Sequence, residues 1–352
     1  MNKQPNILWE NGSAYDLFVS LRVIHNPDEF GLRPSWAAGV RSRLPTQLRD
    51  VLEASQKFLK VPLAFIHNLS ESKDVTAVLA TLEALPPEDR LPAICFGVKK
   101  DPKTQHDSEF LSSLIGKQRL TASIAEQLRQ TYTNPQQVTK EKVRAAFDAW
   151  SNRASFGDKF VQALKSYTKN FFREEETRII PAQSKALKEA QMLAEGTDVL
   201  TLLEKLSAGV RMDWIMGISN LVLAPSFWGA PFVFFDKLDE ETGIILFGSR
   251  PKGMTLVPGD LVPEDLLNAL KALADPTRLR ILRYLLEGPR SPSELAKILR
   301  LRPPTVVHHL YNLRLAGLVL VTVSPRAERR YALRMDGVNT TMNQLNTFLS
   351  GD

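Results

Sequence analysis

The 352-residue sequence predicts a mainly α protein with minor β content. Its N-terminal part reads as a large helical domain carrying a small antiparallel β-meander, and its C-terminal part as three short helices closed by a β-hairpin. Three observations carry this. Apolar side chains recur at helical spacing through most of residues 13–208, short apolar and aromatic runs fill 220–247, and the last quarter carries its own helix start and stop signals. The domains are therefore expected at 1–262 and 263–352.

Ile7 to Trp9 reads as a short strand, and Ser13 as the cap of a helix with Leu17, Phe18, Leu21 and Ile24 on one face. A second helix is predicted over 45–60, with Leu48, Val51, Leu52 and Phe58 apolar. Further helices are predicted over 72–85, 109–115, 121–132, 140–150, 158–175, 181–194 and 198–208. Residues 220–224, 231–235 and 243–247 then read as the strands of the meander, with an acidic turn at 239–242. Residues 249–263, with three prolines and two glycines, read as the link into the C-terminal module.

That module begins with a helix at 264–273. Asp275 is the N-cap of the next, with Pro276 at its first position, where a missing N–H costs nothing; Leu279, Leu282, Leu285 and Leu286 recur at helical spacing until Gly288 and Pro289. Ser291 and Glu294, three apart, form a capping box for a helix with Leu295, Ile298 and Leu299 on its apolar face. After a tight turn at 300–302, Pro303 and Pro304 open a third helix. Val306, Leu310 and Leu313 face the core, and Thr305, His308, Tyr311 and Asn312 lie opposite. Gly317 ends it, and 318–323 and 330–333 read as strands around a turn at 324–328. A short capped helix, a tight turn and a second helix polar at its beginning form the geometry that sets side chains in a DNA major groove. The hairpin makes it a winged helix-turn-helix.

Charge agrees with this reading. Residues 276–334 carry twelve Lys or Arg against three Glu, a balance of +9 in a chain of net charge +6, so the remainder is slightly acidic. A compact positive module of this kind is the footprint of phosphate binding.

Residues 273–282 (Leu-Ala-Asp-Pro-Thr-Arg-Leu-Arg-Ile-Leu), 293–296 (Ser-Glu-Leu-Ala), 304–310 (Pro-Thr-Val-Val-His-His-Leu) and 316–319 (Ala-Gly-Leu-Val) resemble the ArsR family of bacterial and archaeal transcriptional regulators. The resemblance covers the last quarter of the chain. It implies a homodimer that binds double-stranded operator DNA, often a repressor released by an effector. The family's recognition-helix positions fall on Arg302, Pro303, Thr305, Val307 and His308. The chain departs from the family pattern at Arg302, where Ser is common, and at Pro303 and Val307, which are often polar. Successive prolines also withdraw N–H donors that a helix N-terminus offers to phosphate. Base reading is accordingly expected from Arg302, Thr305 and His308, with Val307 against a thymine methyl. Phosphate contact is expected from Arg290, Lys297, Arg314 and the wing residues Arg326, Arg329 and Arg330. Residues 13–36 resemble the N-terminal region of long ArsR-like regulators, a resemblance that implies no known ligand but supports treating the whole chain as one regulator. In that reading 1–262 is expected to sense a small-molecule effector or to set the assembly.

Beyond the wing, Val338, Met342, Leu345 and Leu349 follow a 4-3-4 spacing on a terminal helix that needs a surface to cover. In the resembled family this helix and the one before Asp275 form the dimer interface. A two-fold dimer with recognition helices ~34–36 Å apart is expected.

Other chemistries find little support. Cys95 is the single cysteine, which excludes an internal disulfide and the paired thiolates on which many members of the resembled family hold metals. That family's second metal site needs His on the C-terminal helix, and residues 335–352 contain none. His308 and His309 are adjacent, so they point about 100° apart on a helix, which suits one DNA contact and one packed ring. No metal or other cofactor is expected. Residues 1–262 hold no phosphate loop, dinucleotide fingerprint or nucleophile elbow, so no enzyme is expected. The alternatives are a winged helix that docks protein and a regulator fused to an unrecognised enzyme domain. Glu174, Glu175 and Glu176 read as a solvated helix face; Phe18, Trp36, Phe227, Trp228, Phe232 and Phe234 read as core. No run approaches the ~18 apolar residues of a membrane span and residues 1–10 lack a signal-peptide pattern, so a soluble cytoplasmic protein is expected.

Overall fold

The computed structural model describes residues 4–69, 72–97, 105–132, 134–251, 254–257, 262–323 and 328–350, and 63% of it is helix. The chain forms two compact units, one of residues 11–27 and 33–181, the other of residues 1–10, 28–32 and 182–352. No helix among the described residues is long and apolar enough to cross a membrane.

The first unit contains α1 (Ser13–His25), α2 (Pro34–Ser42), α3 (Thr46–Phe58), α4 (Leu63–His67), α5 (Val75–Ala84), α6 (Pro87–Phe96), α7 (Gln105–Ser112), α8 (Ala122–Gln130), α9 (Lys140–Ser151), α10 (Arg153–Tyr167) and the first part of α11 (Arg173–Ala194). Helix α1 is its axis. Eleven of its thirteen residues are buried, as befits a helix apolar nearly all round, and it packs on α2, α3, α4 and α5. Its buried Ser20 donates to the Leu17 carbonyl at 2.9 Å and accepts from the Tyr167 hydroxyl at 2.9 Å, so burial leaves no unmet hydroxyl there. Gly12, rather than Ser13, holds the N-cap position of α1; the Ser13 hydroxyl turns away to donate to Glu176 at 2.5 Å. The sequence pattern misses α2, α4 and α6, which are short and begin at or beside prolines. The runs predicted at 158–175 and 181–194 are continuous instead: α10 passes through a π turn at Thr168–Phe172 into α11, which runs on through 176–180 with Pro181 inside it.

The second unit holds β1 (Asn6–Trp9), β2 (Val210–Met212), β3 (Asn220–Ser226), β4 (Phe234–Lys237), β5 (Thr242–Gly248), β6 (Val319–Val323) and β7 (Arg330–Leu333), with α12 (Val199–Leu206), α13 (Glu264–Leu273), α14 (Pro276–Leu285), α15 (Pro292–Leu299), α16 (Pro303–Leu315) and α17 (Met335–Ser350). The strands do not form the expected antiparallel meander. The strands form a four-stranded mixed sheet in the order β1-β3-β5-β4, in which β1 and β5 both run parallel to β3 and β4 alone is antiparallel. The burial pattern explains the arrangement. Six of seven β3 residues and five of seven β5 residues are buried without alternation, as in strands covered on both faces, whereas β4 is largely exposed at the edge.

A second sheet has the order β2-β6-β7. The wing hairpin β6–β7 is thereby joined by β2, parallel to β6, with Val210 opposite Val321 and Met212 opposite Val323. The Gly209 carbonyl accepts the Val321 N–H at 3.1 Å. Gly209 has φ of 98°, and a Cβ there would lie 2.3 Å from a Leu320 methyl, so only glycine fits this junction. One apolar core runs through the unit: Leu203, Met212, Leu223 and Ile245 are continuous with Ile281, Leu295, Val306 and Leu313. The compact units divide the chain at 181/182, away from the boundary expected at 262/263.

Candidate nucleic-acid interface

The frame of the interface is set by helix ends. The Asp275 side chain accepts the Arg278 N–H at 2.9 Å to start α14, and this hydrogen bond holds its carboxyl below the usual range. Arg278 turns back to donate to the Ala272 and Lys271 carbonyls at 2.9 and 2.7 Å, closing the end of α13. In α15 the capping box is complete: Ser291 Oγ accepts the Glu294 N–H at 3.2 Å and Glu294 accepts the Ser291 N–H at 2.7 Å. Glu328, at the end of the wing turn, accepts from the Ser293 N–H and hydroxyl at 3.2 and 2.7 Å. With Pro292 at the first position, the opening turn of α15 has its first donors satisfied, and the wing is tied to that helix. Sequence reasoning missed Glu328; its one signal was that the capping box leaves the second N–H of α15 without a partner.

The turn between α15 and α16 passes through Arg300 in the left-handed region, φ 55° and ψ 44°, where it closes α15. Arg302 then holds the N-cap position of α16 with no side-chain cap. Val306, Leu310 and Leu313 are fully buried, as expected. Arg302, Pro303, Thr305, Val307 and His308 are exposed together on the opening turns of α16. Asn312 lies one turn beyond His308, donating to its carbonyl at 3.0 Å and lying 3.2 Å from its Nε2. His309 is half-buried, and burial lowers its pKa, so the adjacent rings divide into one exposed and one packed.

Residues 275–320 match the model of the bacterial regulatory protein ArsR family. This segment belongs to the ArsR family. The chain is similar to the HTH-type transcriptional regulators CmtR of Mycobacterium bovis and Mycobacterium tuberculosis, 51% identical over 63 residues, which is 18% of this chain and 52% of theirs. The chain thus spans about half the length of the curated relatives it matches. It also resembles the crystal structure of an ArsR family transcriptional regulator at 28% identity, covering 24% of this chain and 93% of that one, with a TM-score of 0.22. The ArsR segment stands at the C-terminal side of a much longer chain, as in a long form of the family.

Within this ArsR module the basic side chains fall into two groups. Arg280, Arg283, Lys297, Arg300, Arg302 and Arg329 are exposed. Others are engaged internally. Arg290 pairs with Glu287 at 2.8 Å while its backbone exchanges hydrogen bonds with Tyr331, and Arg330 donates to the Pro289 carbonyl at 2.7 Å and to Glu294 at 3.3 Å. Arg314 departs furthest from expectation. It is 8% exposed, its guanidinium lies 6.0 Å from the Phe232 ring centroid, and burial pushes its pKa down to about 10. Being the penultimate residue of α16 on its inner side, it is closed off from a phosphate. Arg326 lies outside the described residues.

Two apolar expectations also change. Leu279 and Leu286, which share a helical spacing with Leu282 and Leu285, are 48% and 54% exposed, while Ile281 is fully buried. On α17, Val338 and Leu345 are half-buried, and Met342, Phe348 and Leu349 are exposed, the last at 73%. Helix α17 lies beside α13, where the Gln344 amide donates to Asp265 at 2.8 Å. Among the described residues no group of three or more His, Cys, Asp or Glu is placed to hold a metal ion.

Proposed function

We propose that the chain is a sequence-specific DNA-binding transcriptional regulator, an effector-responsive repressor that acts as a homodimer in the cytoplasm. Residues 263–352 form its DNA-binding part and residues 1–262 its sensing or assembly part. The observation that carries the reading is the exposed cluster Arg302, Thr305, Val307 and His308 at the start of α16, in a segment that matches the ArsR family. Arg302 offers a planar fork that fits guanine O6 and N7, His308 and Thr305 offer single hydrogen bonds, and Val307 offers a methyl surface to thymine. Lys297 and Arg329 hold backbone phosphates, with Arg290 and Arg330 contributing once they exchange their internal partners. The exposed apolar residues Met342 and Leu349, with Val338 and Leu345, cover the same face of a second copy. The relatives described as HTH-type transcriptional regulators support this reading for the module they share.

The test is fluorescence anisotropy of the full chain with duplex DNA from its own upstream region, beside a scrambled duplex, across a salt series. A steep fall of log affinity with log salt, together with a large preference for the native duplex, is the expected result. Weak binding with a shallow salt dependence, equal for both duplexes, would instead favour a winged helix that docks protein.

A further inference from the structure

The second unit contains a cavity of about 430 Å³, within the size range of small-molecule sites. It is enclosed by the loops that follow β3 and β5, the start of α13, the corner after α16, and the first turns of α17. One wall is aromatic: Phe30 and Phe232 meet edge to face, with centroids 5.5 Å apart and planes at 89°. The other is charged, with Lys205, Arg250 and Arg334 facing Glu264 and Asp265. Asp265 is already engaged by Gln344 at 2.8 Å. Arg334, half-buried, donates from Nη1 to the Ala208 and Gly317 carbonyls at 3.3 and 3.4 Å and has no carboxylate partner among the described residues. Its Nε and second terminal nitrogen carry the remaining guanidinium donors. Behind the aromatic wall stands buried Arg314, so the local charge is positive on both sides of Phe232.

We propose that this cavity binds a small organic anion with a flat apolar body, its acidic group on Arg334 and its body against Phe30 and Phe232. An occupant meets the end of the DNA-reading helix at Leu315 and reaches its side through Phe232. Phe232 stacks on Tyr311 of α16, with centroids 5.5 Å apart and planes at 21°, and it also covers Arg314. The loop that carries Phe232 is thus both a wall of the cavity and a support of α16. The regulatory half of the proposal rests on the DNA-binding reading above; the binding half does not.

The probe is anilinonaphthalene sulfonate, an aromatic anion, titrated by fluorescence against the full chain, beside the uncharged phenylnaphthylamine. Saturable binding of the anion is expected, weakened about tenfold or more in Arg334→Gln, with the neutral compound unaffected. Thr340→Trp, which fills the mouth from an exposed position on α17, is expected to abolish both without lowering the melting temperature. Equal affinity of wild type and Arg334→Gln for the anion overturns the assignment. Should that variant fail to fold, Lys205→Gln on the rim takes its place, with a several-fold loss expected and no loss overturning the proposal. Saturating probe is also expected to change duplex affinity several-fold. Unchanged duplex affinity removes the regulatory half alone, and duplex binding absent in both states removes the DNA reading but not the cavity.

Discussion

Half-buried Phe232 and buried Arg314 form a cation–π pair, the guanidinium 6.0 Å from the ring centroid, that joins the loop after β3 to the inner side of α16. Arg314, expected from the sequence to contact phosphate, is here packed as a structural residue. Phe232→Ala is expected to lower unfolding free energy by about 1–2 kcal/mol, measured by chemical denaturation. Arg314→Gln is expected to leave the salt slope of DNA binding unchanged. Lys297→Ala, at an exposed position proposed to hold a phosphate, is expected to make that slope shallower by about 0.9.

Arg302 caps α16 by position but makes no side-chain cap, so removing its guanidinium sacrifices little stability. Arg302→Ala is expected to retain the wild-type melting temperature while its preference for native over scrambled duplex falls about tenfold or more. His308→Ala is expected to lower the same preference to a smaller extent. Unchanged discrimination in both variants would place base reading elsewhere.

Asp275 gives a prediction about pH. Its carboxyl is held below the usual range by the Arg278 N–H, so the stabilisation is fully present above the unfolded value and is lost as pH falls through the folded one. Asp275→Ala is expected to cost about 1 kcal/mol at neutral pH. The difference between variant and wild type should narrow below about pH 4, which denaturation curves at neutral and acid pH would reveal.

Leu349 and Met342 stand 73% and 43% exposed on α17, apolar surface that its packing beside α13 leaves uncovered. The double variant Met342→Asp with Leu349→Asp is expected to sediment as a monomer and to bind duplex at least tenfold more weakly, because two linked half-sites become one. Sedimentation unchanged from wild type would exclude α17 as the dimer surface.

The local signals that specify the helix ends were plain in the sequence. Asp275 with Pro276, and Ser291 with Glu294, cap α14 and α15 by chemistry confined to one turn, so spacing alone reveals them. The fate of the charges was not legible in the same way. Arg278, Arg290, Arg314 and Arg330 count as four positive residues in any composition, and only the folded chain shows that carbonyls, carboxylates and an aromatic ring engage them. Strand order was hidden for a related reason. The apolar runs of β3 and β5 announce buried strands, but they do not say that β4, next in sequence after β3, lies beyond β5 at the sheet edge. The three-residue strand β2 is too short to announce itself, and Phe232 reads as core in the sequence although the loop that carries it walls a cavity.

The placement of β2 on the wing bears on how this protein can be taken apart. A chimaera that grafts residues 263–352 onto a foreign receptor would strip β6 of its neighbour β2 and cut through the apolar core that Met212 and Leu223 share with Leu295 and Val306. A graft cut near residue 182 carries the missing strand with it. The winged helix is therefore not a detachable cassette, and a portable form running from residue 182 is nearly four times as long as the 275–320 segment that advertises it.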